Sequence, residues 1–90
     1  MKETVTRLGQ LSKGARGRII RVGGGEKDPP ELVSRLLEMG MLEGSEIQVV
    51  HEAPGSRDPI AVRVRGTLIA LRRSEADVVE VVSVVSYDPN

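Results

Sequence analysis

His51 is the one imidazole in a chain of ninety residues that has no cysteine, so any transition-metal site must be built from it and carboxylates. Such ions are met by several histidine and carboxylate groups converging on one point. Glu52 is adjacent, but neighbours along a strand point to opposite faces; Asp58 or a terminal carboxylate could approach, but nothing in the spacing requires it. His51 is therefore a weak metal candidate, and the sequence predicts no metal centre and no cofactor. Nucleophilic catalysis needs a base, and with one histidine there is no Ser/His/Asp spacing to test. The carboxylates are scattered among balancing basic residues, and a very small domain leaves little room for a cleft with perturbed groups. The chain reads as a non-enzyme.

Gly23, Gly24 and Gly25 precede a helical pattern, which raises a phosphate-binding loop. The run continues Glu26-Lys27-Asp28 in place of the Gly-Lys-Ser/Thr that the motif requires. Asp28 and Glu31 also place carboxylates where an anion would sit. The bland reading, a strand-to-helix loop, is preferred. Arg63, Arg65, Arg72 and Arg73 form a possible basic stripe. Single-strand nucleic-acid recognition leans on aromatic stacking, and proline-rich peptides dock in aromatic-lined grooves. The only aromatic residue is Tyr87, so neither fits. What remains is aliphatic contact. Leu68 lies on the face opposite Ile69 and Leu71, and Met41 and Leu42 sit in a turn, where large apolar side chains are unusual on a surface. Leu42 is expected to plug the end of the fold. Met41, Arg63, Arg65, Leu68 and Arg72 are the expected partner-binding residues.

The elements that position these residues follow from pattern. One domain is expected over 1–90, with its core at about 8–85 and a tail at 86–90. Thirteen basic and thirteen acidic residues cancel, so no net field draws the chain to nucleic acid or anionic lipid. No run approaches the ~20 apolar residues that span a bilayer, and the N-terminus lacks the apolar core of a signal peptide; a cytoplasmic location is expected. Met1 to Gly14 is a lead-in whose Leu8 and Leu11 pack on the core. Ala15 to Val22 is the first strand, with Arg16, Arg18 and Arg21 outward. Asp28 is the expected N-cap of the one long helix, with Pro29 at its first position, Glu31 at capping-box spacing, an apolar stripe of Leu32, Val33, Leu36, Leu37 and Met39, and Gly40 as terminator. Glu46 to Glu52 is the second strand, with Ile47, Val49 and His51 on one face and Glu52 on the other.

Ile60 to Arg65 alternates with Ile60, Val62 and Val64 inward. Gly66-Thr67 suits a tight hairpin into the strand Leu68–Leu71, and Ser74 to Asp77 a single helical turn. Val78 to Val85 is the last strand, its β-branched run long enough to be buried or paired on both sides, and also a candidate for homo-oligomer formation by edge pairing. The fold class is mainly β: a small five-stranded barrel with one helix between strands 1 and 2 and a helical turn before the last strand.

Leu11-Ser12-Lys13-Gly14, Gly17-Arg18-Ile19, Arg35-Leu36-Leu37-Glu38-Met39-Gly40-Met41 and Gly44 resemble the ferrous iron transport protein A (FeoA) family. Ala53-Pro54, Asp58-Pro59-Ile60, Arg65-Gly66, Ala70-Leu71-Arg72-Arg73 and Glu75-Ala76 extend the likeness over about Leu8 to Val81. The resemblance implies an SH3-like barrel with a helix after its first strand. It also implies an accessory protein of bacterial ferrous iron uptake that modulates the membrane transporter, FeoB, by contact with its cytosolic domain. Glu43 departs from the family, which commonly has proline before the glycine of that turn. The same barrel occurs at the C-terminus of diphtheria-toxin-repressor-type regulators, and a metal- or nucleic-acid-responsive module is the alternative. The chain shows no preceding DNA-binding region, so the transport reading is the expectation.

Overall fold

The computed structural model describes residues 2–85. Six strands are present where the sequence predicts five: β1 (Lys2–Arg7), β2 (Arg16–Val22), β3 (Glu46–Glu52), β4 (Ile60–Val64), β5 (Thr67–Leu71) and β6 (Val79–Val85). A short 3₁₀ turn, Leu8–Gln10, follows β1; α1 (Pro30–Glu38) joins β2 to β3; and α2, one turn over Arg73–Ala76, precedes β6. The strands form one antiparallel sheet in the order β1-β6-β2-β3-β4-β5. It wraps around a single aliphatic core that includes Leu8, Ile19, Leu36, Met41, Ile47, Val62 and Val81. The mainly β class and the place of the helix are as expected, and β1 is the addition.

β1 escapes the sequence pattern because its sequence, KETVTR, has one apolar residue, and that residue, Val5, is exposed. Its strand form comes from pairing with β6, along which Arg7 lies opposite Glu80 and Val5 opposite Val82. β6 is thus held on both sides, by β1 and by β2. Self-association through a free edge of the last strand is corrected by this arrangement, since β6 has no free edge over its paired length. The ends of the sheet are β1 and β5. The tail 86–90, with Tyr87, lies outside the described residues.

Two bulges bend the sheet, as an extra residue in one strand does. The first falls at Ile20, between Ile19 and Arg21 of β2. The second falls at Val50, between Val49 and His51 of β3. Because strand side chains alternate with a period of two, the second bulge reverses the facing predicted for the end of β3. His51, opposite Ala61, is exposed, and Glu52, opposite the buried Ile60, is half-buried.

The helix begins later than its sequence signals predict. Pro29 is the N-cap and Pro30 the first helical residue. The Asp28 carboxylate instead accepts from the Gly25 N–H at 3.0 Å, while the Asp28 N–H donates to the Gly25 carbonyl at 3.2 Å. It closes the glycine loop rather than capping the helix. Leu36 is buried and Leu32 and Val33 rest on the core, but Leu37 and Met39 are exposed. Gly40 does end the helix, at φ +103°, which a residue without Cβ adopts without strain.

Just beyond it the two apolar turn residues have roles opposite to those expected. Met41 is fully buried and Leu42 is 43% exposed. The Met41 N–H donates to the Leu36 carbonyl at 3.1 Å, which tucks the chain back against the helix end. Met41 therefore offers no surface to a partner, and Leu42 is not the plug. Truncating a buried methionine removes packing and leaves a cavity. We expect Met41→Ala to cost about 2–4 kcal/mol and Leu42→Ala less than about 0.5 kcal/mol, read as midpoints of urea unfolding; equal costs would contradict this assignment.

Candidate functional site: the outer face of the β4–β5 hairpin

β4 and β5 are joined by the two residues Arg65 and Gly66, at φ +51° and +79°, with Val64 and Thr67 paired across the turn. Positive φ at both central positions is the type I′ signature, the turn whose twist matches the flanking strands. Gly66 meets that demand at no cost, and Arg65 holds a left-handed conformation at the tip. The alternation Ile60, Val62, Val64 and Ile69, Leu71 enters the core as predicted. The opposite side chains, Ala61, Arg63, Leu68 and Ala70, therefore share the outer face.

On that face Arg63 and Leu68 are direct cross-strand partners. Gln48 of β3 is opposite Arg63, and Arg16 of β2 is opposite Gln48. Arg16, Gln48, Arg63 and Leu68 thus form one row across four strands. His51, Ala61 and Ala70 form the next row over three. Leu68 is 60% exposed. Arg65 stands at the hairpin tip, and Arg72 follows the far end of β5, four residues from Leu68. The structure therefore brings Arg63 and Leu68 together, sets Arg65 and Arg72 at the two ends of the same hairpin, and removes Met41. Among the described residues, none of Arg63, Arg65 and Arg72 has a carboxylate at salt-bridge distance.

The neighbouring arginine has the opposite fate. Arg73 lies half-buried at the end of the barrel, where its guanidinium makes four hydrogen bonds: Nε to the Arg57 carbonyl at 2.9 Å, Nη1 to the Gly9 and Leu11 carbonyls at 3.0 and 2.7 Å, and Nη2 to Glu52 Oε2 at 3.3 Å. Its backbone N–H donates to Asp58 Oδ1 at 3.0 Å. The Lys13 N–H donates to Glu52 Oε1 at 2.8 Å. That bond is the main reason the Glu52 carboxyl titrates below its ordinary value; partial burial opposes it, and the charges of Arg73 and Arg57 reinforce it. Glu75 is lowered too, chiefly by accepting from the Arg72 N–H and further by its pairing with Arg35 of α1 at 3.0 Å.

These contacts also settle the chemistry of other candidates. Glu52, the carboxylate beside His51 in sequence, is engaged by Arg73 and Lys13 and faces away from the imidazole. Among the described residues no three His, Cys, Asp or Glu side chains gather into a metal-binding group. Beside the glycine loop lies a shallow depression of about 320 Å³, lined by Arg7, Arg21, Lys27, Asp28, Asp77 and Glu80. Its charges are mixed and partly satisfied internally, by Arg21–Glu80 at 2.8 Å and by Arg7 Nη1 donating to the Asp77 carbonyl. The loop itself is closed by Asp28, which occupies the N–H a phosphate would need.

Comparison with known proteins places this architecture. Residues 6–83 match the FeoA domain. The chain belongs to the FeoA family. Over 75 residues, 83% of this chain, it is 39% identical to the Fe(2+) transport protein A/Fe(2+) transporter FeoB fusion protein of Porphyromonas gingivalis, of whose length it spans 8%. Among solved structures it is similar to a FeoA-like protein from Clostridium acetobutylicum, at 26% identity and a TM-score of 0.79, with 100% of this chain and 98% of that one covered. It is also similar to Stenotrophomonas maltophilia FeoA complexed with zinc, a prokaryotic SH3 domain protein, at 31% identity and a TM-score of 0.70 over 84% of this chain and 88% of that one. A manganese-dependent transcriptional repressor shares the fold alone, at 18% identity and a TM-score of 0.75 over 93% of this chain and 44% of that one. The SH3-like fold class and the FeoA resemblance read from the sequence are thereby established, and with them membership of a family of ferrous iron transport.

Carboxylates lowered in the folded state stabilise it fully above their unfolded pKa, and that stability is lost as pH falls through the folded value. Glu52 and Glu75 are both of this kind, with an ordinary value of 4.5. We expect unfolding midpoints to fall as pH drops below about 4.5 and Glu52→Gln to flatten that dependence while lowering stability at neutral pH. Arg73→Met, which leaves the part-buried Gly9 and Leu11 carbonyls without their donor, should cost roughly 2–3 kcal/mol. Identical pH profiles for the parent and Glu52→Gln would contradict the role given to Glu52.

Proposed function

We propose that this domain is a non-enzymatic accessory of bacterial ferrous iron uptake that binds the cytosolic part of a FeoB-type transporter and modulates it by protein contact. The observation that supports this reading is the Porphyromonas gingivalis relative, in which an A-type segment and a FeoB transporter share one polypeptide. Covalent joining gives two modules an effective concentration of about millimolar for a short flexible linker. A domain not joined to its transporter would need a surface with affinity of its own. The outer face of the β4–β5 hairpin has the features of one: an exposed leucine against Arg63, with Arg65 and Arg72 at the two ends and, among the described residues, no carboxylate at salt-bridge distance from any of the three.

Aliphatic anchors ringed by charge combine desolvation with steering. The same features suit the cytoplasmic side of a membrane protein, and no helix among the described residues is long and apolar enough to cross a bilayer. The S. maltophilia protein is itself put forward as a ferrous iron transport activating factor, which agrees in kind with this role. A metal- or nucleic-acid-responsive regulator module has only the shared fold behind it.

The test is retention of the domain on an immobilised FeoB-type cytosolic domain. The parent is expected to bind, Leu68→Glu to weaken binding by about tenfold or more, and Arg63→Glu to weaken it most at low salt. Failure of the parent to bind overturns the proposal; equal binding by Leu68→Glu moves the contact to another face.

A further inference from the structure

At the far edge of β5, backbone hydrogen-bonding groups, apolar character and positive charge coincide. In a two-residue hairpin the residues flanking the turn exchange both main-chain bonds. Val64 and Thr67 are that pair, and the register continues through Val62 with Ile69 and Ile60 with Leu71. The main-chain groups of Thr67, Ile69 and Leu71 are therefore committed to β4. Those of the alternate residues, Leu68 and Ala70, point the other way.

β5 ends the sheet, so no strand among the described residues receives them. Both residues are exposed. The strand, TLIAL, has no charge, proline or bulge, the usual means by which an edge is guarded against a further strand.

From this arrangement we infer that β5 receives an extended acidic segment as an added antiparallel or parallel strand, bonded to the N–H and C=O groups of Leu68 and Ala70. Charge selects the occupant. Residues 60–73 carry four arginines and no acidic residue in a chain whose formal charge is zero. Arg63, Arg65 and Arg72 flank the edge, and among the described residues none of them has a carboxylate at salt-bridge distance. A second copy pairing β5 with β5 would bring two such cationic segments together, and like charge disfavours it. A strand alternating carboxylate and aliphatic residues would place carboxylates toward the arginines and apolar side chains beside Leu68. Edge addition takes affinity from main-chain bonds and specificity from alternate side chains. The identity of the natural partner rests on the transporter-binding reading above; the edge itself does not.

Amide exchange followed by NMR on the intact domain tests the inference, with a short end-blocked peptide alternating glutamate and valine as the probe. Saturating peptide should slow exchange at Leu68 and Ala70 by about tenfold or more and leave Ile69, already bonded to β4, unchanged. A peptide alternating lysine and valine should have no effect. Ala70→Pro removes an N–H the fold does not use and should abolish peptide binding while Ile69 stays protected; if that variant fails to fold, exchange in the parent alone decides. No added protection at Leu68 and Ala70, equal protection by the lysine peptide, or undiminished binding by a folded Ala70→Pro would overturn the inference. The same measurement with the transporter's cytosolic domain separates the two readings. Binding without protection of Leu68 and Ala70 overturns the edge and leaves the adaptor. Protection by the acidic peptide, without binding of the transporter domain, overturns the adaptor and leaves the edge.

Discussion

Arg73 holds together pieces of chain that the sheet alone leaves unconnected. Its guanidinium reaches the N-terminal turn through Gly9 and Leu11, the 53–59 loop through Arg57, and the end of β3 through Glu52, while its own backbone belongs to α2. These segments lie up to sixty-four residues apart in sequence. Only a planar fork of five donors can serve several acceptors at once; a lysine offers three donors from a single point. The part-buried Gly9 and Leu11 carbonyls have little alternative, because an end of a small barrel lacks strands to pair them and a buried acceptor without a donor costs more than a bond gains. Gly9 belongs to the same constraint: a Cβ there would collide with the Arg73 carbonyl and the Asp77 carboxylate.

The anion of this clamp is available because of an irregularity. Regular alternation along β3 would turn Glu52 outward and His51 into the core. The bulge at Val50 exchanges them, so the imidazole goes to solvent and the carboxylate to the barrel end. One extra residue thus contributes to the bend of the sheet and sets the partner of Arg73 and the outward row of His51, Ala61 and Ala70.

Where side chains alternate without interruption, the sequence was readable. Ile60, Val62 and Val64 point inward as their spacing says, and the valine run of β6 is paired on both sides as its composition suggests. The failures have local physical causes. β1 has no apolar periodicity because its one apolar residue faces out, and its existence depends on β6, some seventy-five residues away. Asp28 looks like a helix cap, yet two prolines carry the chain into the helix after it, and its carboxylate finds Gly25 first. Met41 and Leu42 are indistinguishable by composition; only the backbone turn after Gly40 decides which enters the core. For the site, Leu68 and Arg63 were legible because a period-two pattern names the outward face. What was hidden was the division between Arg72 and Arg73, adjacent and alike, one turned to solvent and one consumed by the fold.

That division bears on how the surface is used. Of the four arginines between residues 60 and 73, the fold neutralises Arg73 and leaves the other three without a carboxylate partner among the described residues. The two ends of the sheet differ in kind. β1, KETVTR, carries three charged residues and two threonines among its six, and charge is a usual defence of an edge against further strands. β5 has no such residue in its interior, and its arginines stand beside and beyond it rather than on it. Cations so placed repel another copy of the same hairpin while leaving its main-chain groups open to an acidic strand. On the edge-addition proposal, the cations that attract an acidic strand are the ones that disfavour pairing of this aliphatic edge with itself.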